Sequence, residues 1–153
     1  MLSLLLVALA CAKPAIPATP AKPATPATPA TPATPANTDA MKAADVAARA
    51  WLAQVDAGQY AESWDTAASL FRAAVTKDAW VAAVKAVREP LGAMVKRDLK
   101  SSTYATSLPG APDGQYVVIQ YDAAFANKKV AVETVTPMLD TDGAWHVSGY
   151  FVR

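Results

Sequence analysis

Residues 112–151 read PDGQYVVIQYDAAFANKKVAVETVTPMLDTDGAWHVSGYF and contain runs of β-type residues separated by short turns. The predicted strands are Gln115 to Phe125, Val130 to Leu139 and Ala144 to Arg153. They are joined by turns at 127–129 and 140–143, and connections this short permit only antiparallel pairing. The stretch therefore predicts an antiparallel meander at the C-terminal end of the chain.

Two further patterns lie upstream of this meander. A polar run with β-type residues from Met94 to Leu108 predicts one more strand, the first in chain order. Before it, apolar residues recur at helical spacing, and we expect helices over roughly residues 39–58, 60–75 and 76–90. Helices followed by an antiparallel sheet indicate an α+β domain, in which one helix layer covers the sheet and buries the tryptophans.

The net charge excludes one class of partner. The chain has 153 residues, with 14 Lys and Arg against 13 Asp and Glu, and its formal net charge is +1. A domain that binds nucleic acid through its phosphates usually carries a strongly basic surface. We therefore expect no nucleic acid partner.

The first eleven residues read MLSLLLVALAC and predict export. Met1 to Ala10 is an uncharged apolar run, too short to span a bilayer but typical of the core of a signal peptide. The positively charged start is missing, which leaves open that translation begins further upstream. Ala8-Leu9-Ala10-Cys11 resembles the lipobox of bacterial lipoproteins, in which the cysteine thiol carries the lipid. Ordinary signal peptidase cleavage after Ala10 is the alternative, and it would leave Cys11 as a free thiol.

The residues after Cys11 indicate how the domain is mounted. By resemblance to enteric lipoproteins, Ala12 in place of Asp implies sorting to the outer membrane, with the domain facing the periplasm. From Ala12 to Pro35 every third residue is proline, which favours a disordered polyproline-type arm of roughly 75 Å. We thus divide the chain into a signal peptide at 1–10, the lipobox cysteine and linker at 11–39, and a domain at 40–153.

The domain resembles a known bacterial family. WLAQVDAGQYAESWDTAASLF at 51–71, WVAAVKAVREPLG at 80–92 and the meander look like a domain of unknown function, family 4019. The order of helices and strands is also similar to the nuclear-transport-factor-two-like, or SnoaL-like, cone fold. This resemblance implies N-terminal helices packed on a curved four-stranded antiparallel sheet, a cystatin-like cone, around a pocket. Members of that superfamily include isomerases, cyclases, hydrolases and non-catalytic binding or dimerisation modules.

Few residues of the domain offer catalytic chemistry. Cys11 lies outside it and His146 is the sole histidine, so neither a metal site nor a Ser-His-Asp triad is predicted. We expect His146 to be a surface strand residue beside Trp145, and we predict no cofactor. An isomerase-type enzyme needs a carboxylate base and hydrogen-bond donors. The predicted strands offer these candidates: Asp98, Asp122, Glu133, Tyr104, Tyr121 and Tyr150.

Glu133 is the most informative candidate because it interrupts the apolar run VAVETV at 130–135. A buried carboxylate needs a partner, and Arg97 or Arg88 would supply one in a structural ion pair. The pocket that we predict is lined by the following residues: Trp64, Tyr121, Glu133 and Tyr150.

The sequence favours a non-catalytic function. We expect a lipid-anchored periplasmic domain that binds a small apolar ligand or a protein partner, and we leave a homodimer open. The alternative is a small-molecule enzyme, isomerase- or cyclase-like, with Glu133 or Asp122 as its base. A filled interior with Glu133 paired to arginine would favour binding, whereas a deep cavity with a carboxylate and a tyrosine at its base would favour catalysis.

Overall fold

The computed structural model describes residues 35–153, which carry the helices first and the strands after them. The helices are α1 (Pro35–Asp56), α2 (Tyr60–Asp65), α3 (Ser69–Ala74) and α4 (Lys77–Leu91). The strands are β1 (Met94–Ala105), β2 (Tyr116–Phe125), β3 (Ala131–Leu139) and β4 (Trp145–Val152). The predicted signal peptide, Cys11 and the residues of the arm up to 34 lie outside the described residues.

Helix α1 begins earlier than the sequence pattern predicts. Its first residue is Pro35, so the helix already includes the last residues of the predicted linker, and the predicted boundary at residue 40 falls inside it. Proline suits the first turn of a helix because its missing N–H would have no partner there, and its fixed φ angle is helical. The proline pattern of the arm therefore runs directly into the helix.

The second predicted helix is interrupted, and a contact with the sheet explains the break. The backbone N–H of Ala68 donates to the carbonyl of Val147 on β4 at 2.9 Å, so the chain leaves the helix between α2 and α3. Ala67 and Ala68 are buried at this point. The helical periodicity of the sequence predicted one helix over 60–75, because such a pattern carries no information about a partner on β4.

The third predicted helix is confirmed as α4. The Thr76 hydroxyl accepts a hydrogen bond from the Ala79 N–H at 3.3 Å and so caps its N-terminus. Gly92 follows its last residue with a φ of +75°, a conformation that glycine adopts without strain. Among residues 35–153, no helix has both the length and the apolar character needed to cross a membrane.

The sheet is the predicted antiparallel meander, with strand order β1-β2-β3-β4. The helices cover one of its faces, and α1 contacts all four strands. The core between the two layers joins Leu52 and Val84 of the helices to Ile119 and Val135 of the sheet. Trp51 and Trp80 are buried as expected, while Trp64 and Trp145 are partly buried. The fold is thus α+β, as the sequence predicts.

The two faces of the sheet differ in chemistry. Tyr121 and Glu133 are register partners on β2 and β3, and both are buried under the helices. Successive residues of a strand point to opposite faces, so Asp122 lies on the other face, opposite Asp98 of β1. That second face is partly exposed, and the helix-facing side holds the buried charge.

Candidate functional site

A buried carboxylate lies at the centre of the candidate site. The Glu133 side chain is fully buried. Its Oε1 accepts hydrogen bonds from Arg88 Nη1 at 2.9 Å and from the Tyr150 hydroxyl at 2.8 Å. Its Oε2 accepts from Arg97 Nε at 2.5 Å. Glu133 therefore has both of the arginine partners that the sequence offered as alternatives.

Asp56 at the end of α1 completes this cluster. Arg88 Nη2 donates to Asp56 Oδ1 at 2.5 Å, and Arg97 donates to both carboxylate oxygens at 2.7 and 3.0 Å. We call Asp56, Arg88, Arg97 and Glu133 the ionic quartet. Its two positive and two negative charges balance, and each arginine bridges both acids.

The quartet brings together elements that are far apart in the chain. Asp56 ends α1, Arg88 lies in the last turn of α4, Arg97 lies on β1 and Glu133 on β3. The Arg88 side chain is 4% exposed, and its guanidinium lies 4.6 Å from the centre of the Phe125 ring. A charge at such a depth is tolerated only when it is paired and hydrogen-bonded.

Burial and charge fix the protonation states of two groups of the site. Burial raises the pKa of the Tyr150 phenol, and the neighbouring Glu133 carboxylate raises it further, so Tyr150 remains a neutral donor. Burial opposes the charge on Arg97, but its hydrogen bonds to Asp56 and Glu133 outweigh that effect and raise its pKa. Near neutral pH, Tyr150 therefore stays a neutral phenol and Arg97 stays a cation.

Aromatic rings fill the space beside Tyr150. The Trp51 ring lies 5.4 Å from the Tyr150 ring and 5.6 Å from the Trp80 ring, measured between ring centres. Both indole N–H groups have partners on Ser63, because Trp51 donates to its carbonyl at 2.7 Å and Trp80 to its hydroxyl at 3.0 Å. The interior beside the quartet is thus filled by aromatic rings, and the indole N–H groups of both tryptophans have hydrogen-bond acceptors.

The structure brings together two of the four residues predicted to line a pocket. Glu133 and Tyr150 are in direct contact. Tyr121 is the register partner of Glu133, but its hydroxyl donates to Asp45 of α1 at 2.6 Å. Trp64 lies on α2 and donates to the Val75 carbonyl at 2.7 Å, away from the quartet.

The other candidate residues lie outside this cluster. Asp98 and Asp122 form exposed ion pairs with Lys96 at 2.7 Å and Lys100 at 2.8 Å. The Tyr104 hydroxyl donates to the Gln115 side chain at 3.1 Å. His146 lies on β4 beside Trp145, with its ring nitrogens near the Thr66 carbonyl and the Asp142 carboxylate.

An open cleft adjoins the quartet. It has a volume of about 270 Å³ and lies between the ends of α1 and α4. Asp56 and Arg88 belong both to the quartet and to the wall of the cleft, and Tyr60 adds an aromatic ring. In the part of the chain that the structure describes, no group of three or more His, Cys, Asp or Glu side chains could hold a metal ion. The wall of the cleft thus combines charged side chains with an aromatic ring.

Asp56 is the site residue that the sequence analysis missed. Its partners are 32 and 41 positions away, so no local pattern reveals them. One signal was available, because the negative end of a helix dipole disfavours a carboxylate in the last turn. An aspartate in the last turn of α1 is therefore favoured by a cationic partner nearby.

Comparison with known proteins identifies the family of the chain. A family model described as protein of unknown function (DUF4019) matches residues 47–150, which is more than half of the chain. The matched span runs from α1 to β4 and includes every member of the ionic quartet. Neither a curated protein nor a solved structure matches the chain. Because the matched residues span the fold from α1 to β4, the chain belongs to the DUF4019 family.

Proposed function

We propose that this chain is an envelope lipoprotein whose periplasmic domain binds a small ligand or a protein partner without catalysis. The hydrogen bonds that Glu133 receives inside the protein are the observation that carries the non-catalytic part of the proposal. A general base needs a free lone pair directed at a substrate. Both oxygens of Glu133 instead accept bonds from arginine, and one of them also accepts a bond from Tyr150. The carboxylate thus acts as an internal anchor for two cations.

The competing function is an isomerase- or cyclase-like enzyme that uses a cone cavity. A carboxylate and a tyrosine hydroxyl 2.8 Å apart near a cleft are the groups that such an enzyme would use. Two arginines at hydrogen-bond distance occupy both oxygens of this carboxylate, which leaves neither oxygen without a partner inside the protein. Asp122, the other candidate base, is 58% exposed and bonded to Lys100 on the far face of the sheet. These contacts favour binding over catalysis.

The cleft beside the quartet is the proposed binding site for a small ligand. Its volume of about 270 Å³ is close to the lower end of ordinary ligand pockets, which begin at about 300 Å³. Asp56 and Arg88, which contribute to its wall, are held in place by their bonds within the quartet. A rigid polar group at the wall of a cleft lowers the entropy cost of binding.

The proposed fold relationship is the cone of the nuclear-transport-factor-two-like proteins. The order of helices before a four-stranded meander supports it. Register shifts within β1 and between β3 and β4 also support it, because bulges bend the strands that carry them. A cone of this kind would direct the helix-facing charges toward its open end.

The proposed mounting is a lipid on Cys11 in the outer membrane, followed by the proline arm. The position of the single cysteine directly after the apolar run supports this anchor. Replacing Cys11 with Ser should move the protein from the membrane fraction to the soluble periplasmic fraction. A Cys11→Ser chain that stays in the membrane fraction after a high-salt wash would contradict the lipid anchor.

The binding function is tested by native mass spectrometry of the protein purified from its own host. We expect an added mass on the wild-type chain that disappears in Tyr60→Ala, which alters the cleft. The matched control is Tyr104→Ala, because Tyr104 contacts Gln115 of the β1–β2 connection. A bound species that both variants retain would place the binding site elsewhere. A measured turnover that the folded Glu133→Gln chain loses would establish the enzyme instead.

A further inference from the structure

Two exposed valines flanked by lysines lie at one end of the sheet. Val130 precedes β3 and is 82% exposed, and Val95 lies near the start of β1 and is 64% exposed. Lys128 and Lys129 precede Val130, and Lys96 follows Val95. We call these five residues the basic tip.

Backbone irregularities turn both valines outward. Phe125 and Lys128 exchange two backbone hydrogen bonds of 2.7 and 3.2 Å, whereas the next register pair is Ala123 with Ala131. On β2 a single residue, Ala124, lies between these two pairs, whereas two residues lie between them on the segment that leads into β3. Those two residues, Lys129 and Val130, therefore form a bulge. On β1, the register shifts between Met94 and Lys96, which leaves Val95 as an extra residue. Bulges re-aim side chains and persist as specific features of a fold.

The charges of the basic tip are available to a partner. Within residues 35–153, Lys128 and Lys129 form no ion pair at hydrogen-bonding distance with an acidic side chain. Lys96 pairs with Asp98, but both side chains are more than half exposed, and such a pair contributes little. Glu133 and Asp56 are neutralised within the quartet, and Glu89, which lines the same cleft as Asp56, pairs with Lys85 at 3.5 Å.

We infer that the basic tip is a docking surface for an anionic phospholipid membrane. Lysines attract a negatively charged leaflet, and exposed apolar side chains gain by entering its interfacial region. Solvent-exposed valines favour a lipid surface over a purely polyanionic partner, because a polymer of charges offers them no apolar environment. The occupant that fits both chemistries is therefore a bilayer.

The position of the basic tip in the fold is compatible with docking of a tethered domain. Asp56, the last residue of α1, bonds to Arg97 near this end of the sheet. The first residue of α1, where the arm joins the domain, therefore lies at the opposite end of the helix. With 22 residues at about 1.5 Å each, α1 is roughly 33 Å long, shorter than the roughly 75 Å expected for the arm. The arm could thus let the tip return to the membrane that holds the anchor. A tether also raises the local concentration, so weak docking suffices.

The test uses the full lipidated chain with Val130→Cys labelled with an environment-sensitive dye. The test rests on the proposed anchor, because a lipid on Cys11 leaves the introduced cysteine as the sole free thiol for the dye. The protein is reconstituted into phosphatidylcholine vesicles with or without about 30 mol % phosphatidylglycerol. We expect the dye to report an apolar environment on the anionic vesicles only. About 0.5 M NaCl should abolish the signal because it screens surface charges.

Two controls make the result specific. Lys128→Glu with Lys129→Glu should weaken the response about tenfold or more. The same change of charge in Lys42→Glu with Lys77→Glu, on α1 and α4, should leave it unchanged. A label on Asp113→Cys, in the β1–β2 connection, should stay in water on both vesicles.

The outcomes separate the two proposals. A chain that does not float with the vesicles contradicts the lipid anchor, whereas a chain that floats with equal dye signals on both vesicles overturns the docking surface alone. An unchanged response of the double lysine variant also overturns it. A dye response to a soluble anionic polymer, without a response to anionic vesicles, would assign the tip to a polymer and overturn the membrane inference.

Discussion

Arg97 on β1 donates to Glu133 on β3, although β2 lies between their strands. The register partner of Arg97 on β2 is Ala123, and the partner of Ala123 on β3 is Ala131. The path of the Arg97 side chain to Glu133 therefore crosses β2 beside Ala123, a small buried residue.

Replacing Ala123 with Leu should obstruct this path. Ala123 is 6% exposed, so the added atoms have no free space, and overpacking of this kind costs about 1–3 kcal/mol. The loss of the bond from Arg97 to Glu133 adds to that cost. The free energy of unfolding, measured by urea denaturation, should fall accordingly. The control is Ala124→Leu on the opposite face, and a control that costs as much as Ala123→Leu would contradict the crossing path.

Glu133→Gln should destabilise the domain strongly. The change preserves shape but removes one of two negative charges that balance Arg88 and Arg97, and breaking a buried pair costs about 3–5 kcal/mol. Urea denaturation measures the effect. The control Asp122→Asn breaks an exposed pair with Lys100 and should cost about 1 kcal/mol or less. Equal losses in both variants would mean that the quartet is not a structural anchor.

Ser63→Ala should reduce stability by about 1–3 kcal/mol, although it removes a single oxygen. The Ser63 hydroxyl accepts from Trp80 at 3.0 Å and donates to the Tyr60 carbonyl at 2.8 Å, and Ser63 is fully buried. Both partners would be left without this bond. In a double-mutant cycle with Trp80→Phe, the combined cost should be smaller than the sum, because the indole donor is then absent. Additive costs would contradict the assigned bond.

The stability of the domain should depend on Asp140 at acidic pH. Hydrogen bonds from the Ser69 hydroxyl and backbone N–H, both at 2.6 Å, lower the pKa of Asp140 to about 2 from its ordinary 3.8. Because the folded pKa lies below the unfolded one, this stabilisation is present above pH 3.8 and is lost as the pH falls toward 2. Thermal unfolding between pH 5 and 2 should therefore lose less stability in Asp140→Asn than in the wild type. The control Asp113→Asn should follow the wild-type curve, and an Asp140→Asn curve parallel to it would refute the linkage.

Much of the fold could be predicted from local patterns. Strand β2 begins at Tyr116, one residue after the predicted start, and β3 begins at Ala131, also one residue after it. Alternating burial and short turns determine such boundaries. The break between α2 and α3 could not be predicted in this way, since it depends on a bond from Ala68 to Val147. That bond joins positions 79 residues apart, and the spacing of apolar residues within a helix cannot indicate it.

The candidate site was predictable only where a charge interrupts an apolar run. Glu133 satisfied that condition, and its arginine partners could be named because a buried carboxylate requires them. The predicted association of Trp64 and Tyr121 with Glu133 rested on residue type, namely the aromatic ring of both and the hydrogen-bond donor of Tyr121. The structure gives their polar atoms other partners, Val75 and Asp45. Asp56 stayed hidden because its role depends on how α1 crosses the sheet.

The bonds at the end of α1 also determine how the domain would respond to mechanical load. Asp56 is held by Arg88 of α4 and Arg97 of β1 through three hydrogen bonds. A pull on the N-terminal end of α1 would pass along the helix and reach the sheet and α4 through these bonds. The helix could not peel away without separating opposite charges that are largely shielded from water. A domain held by its N-terminal end would therefore resist detachment of α1 most strongly at Asp56.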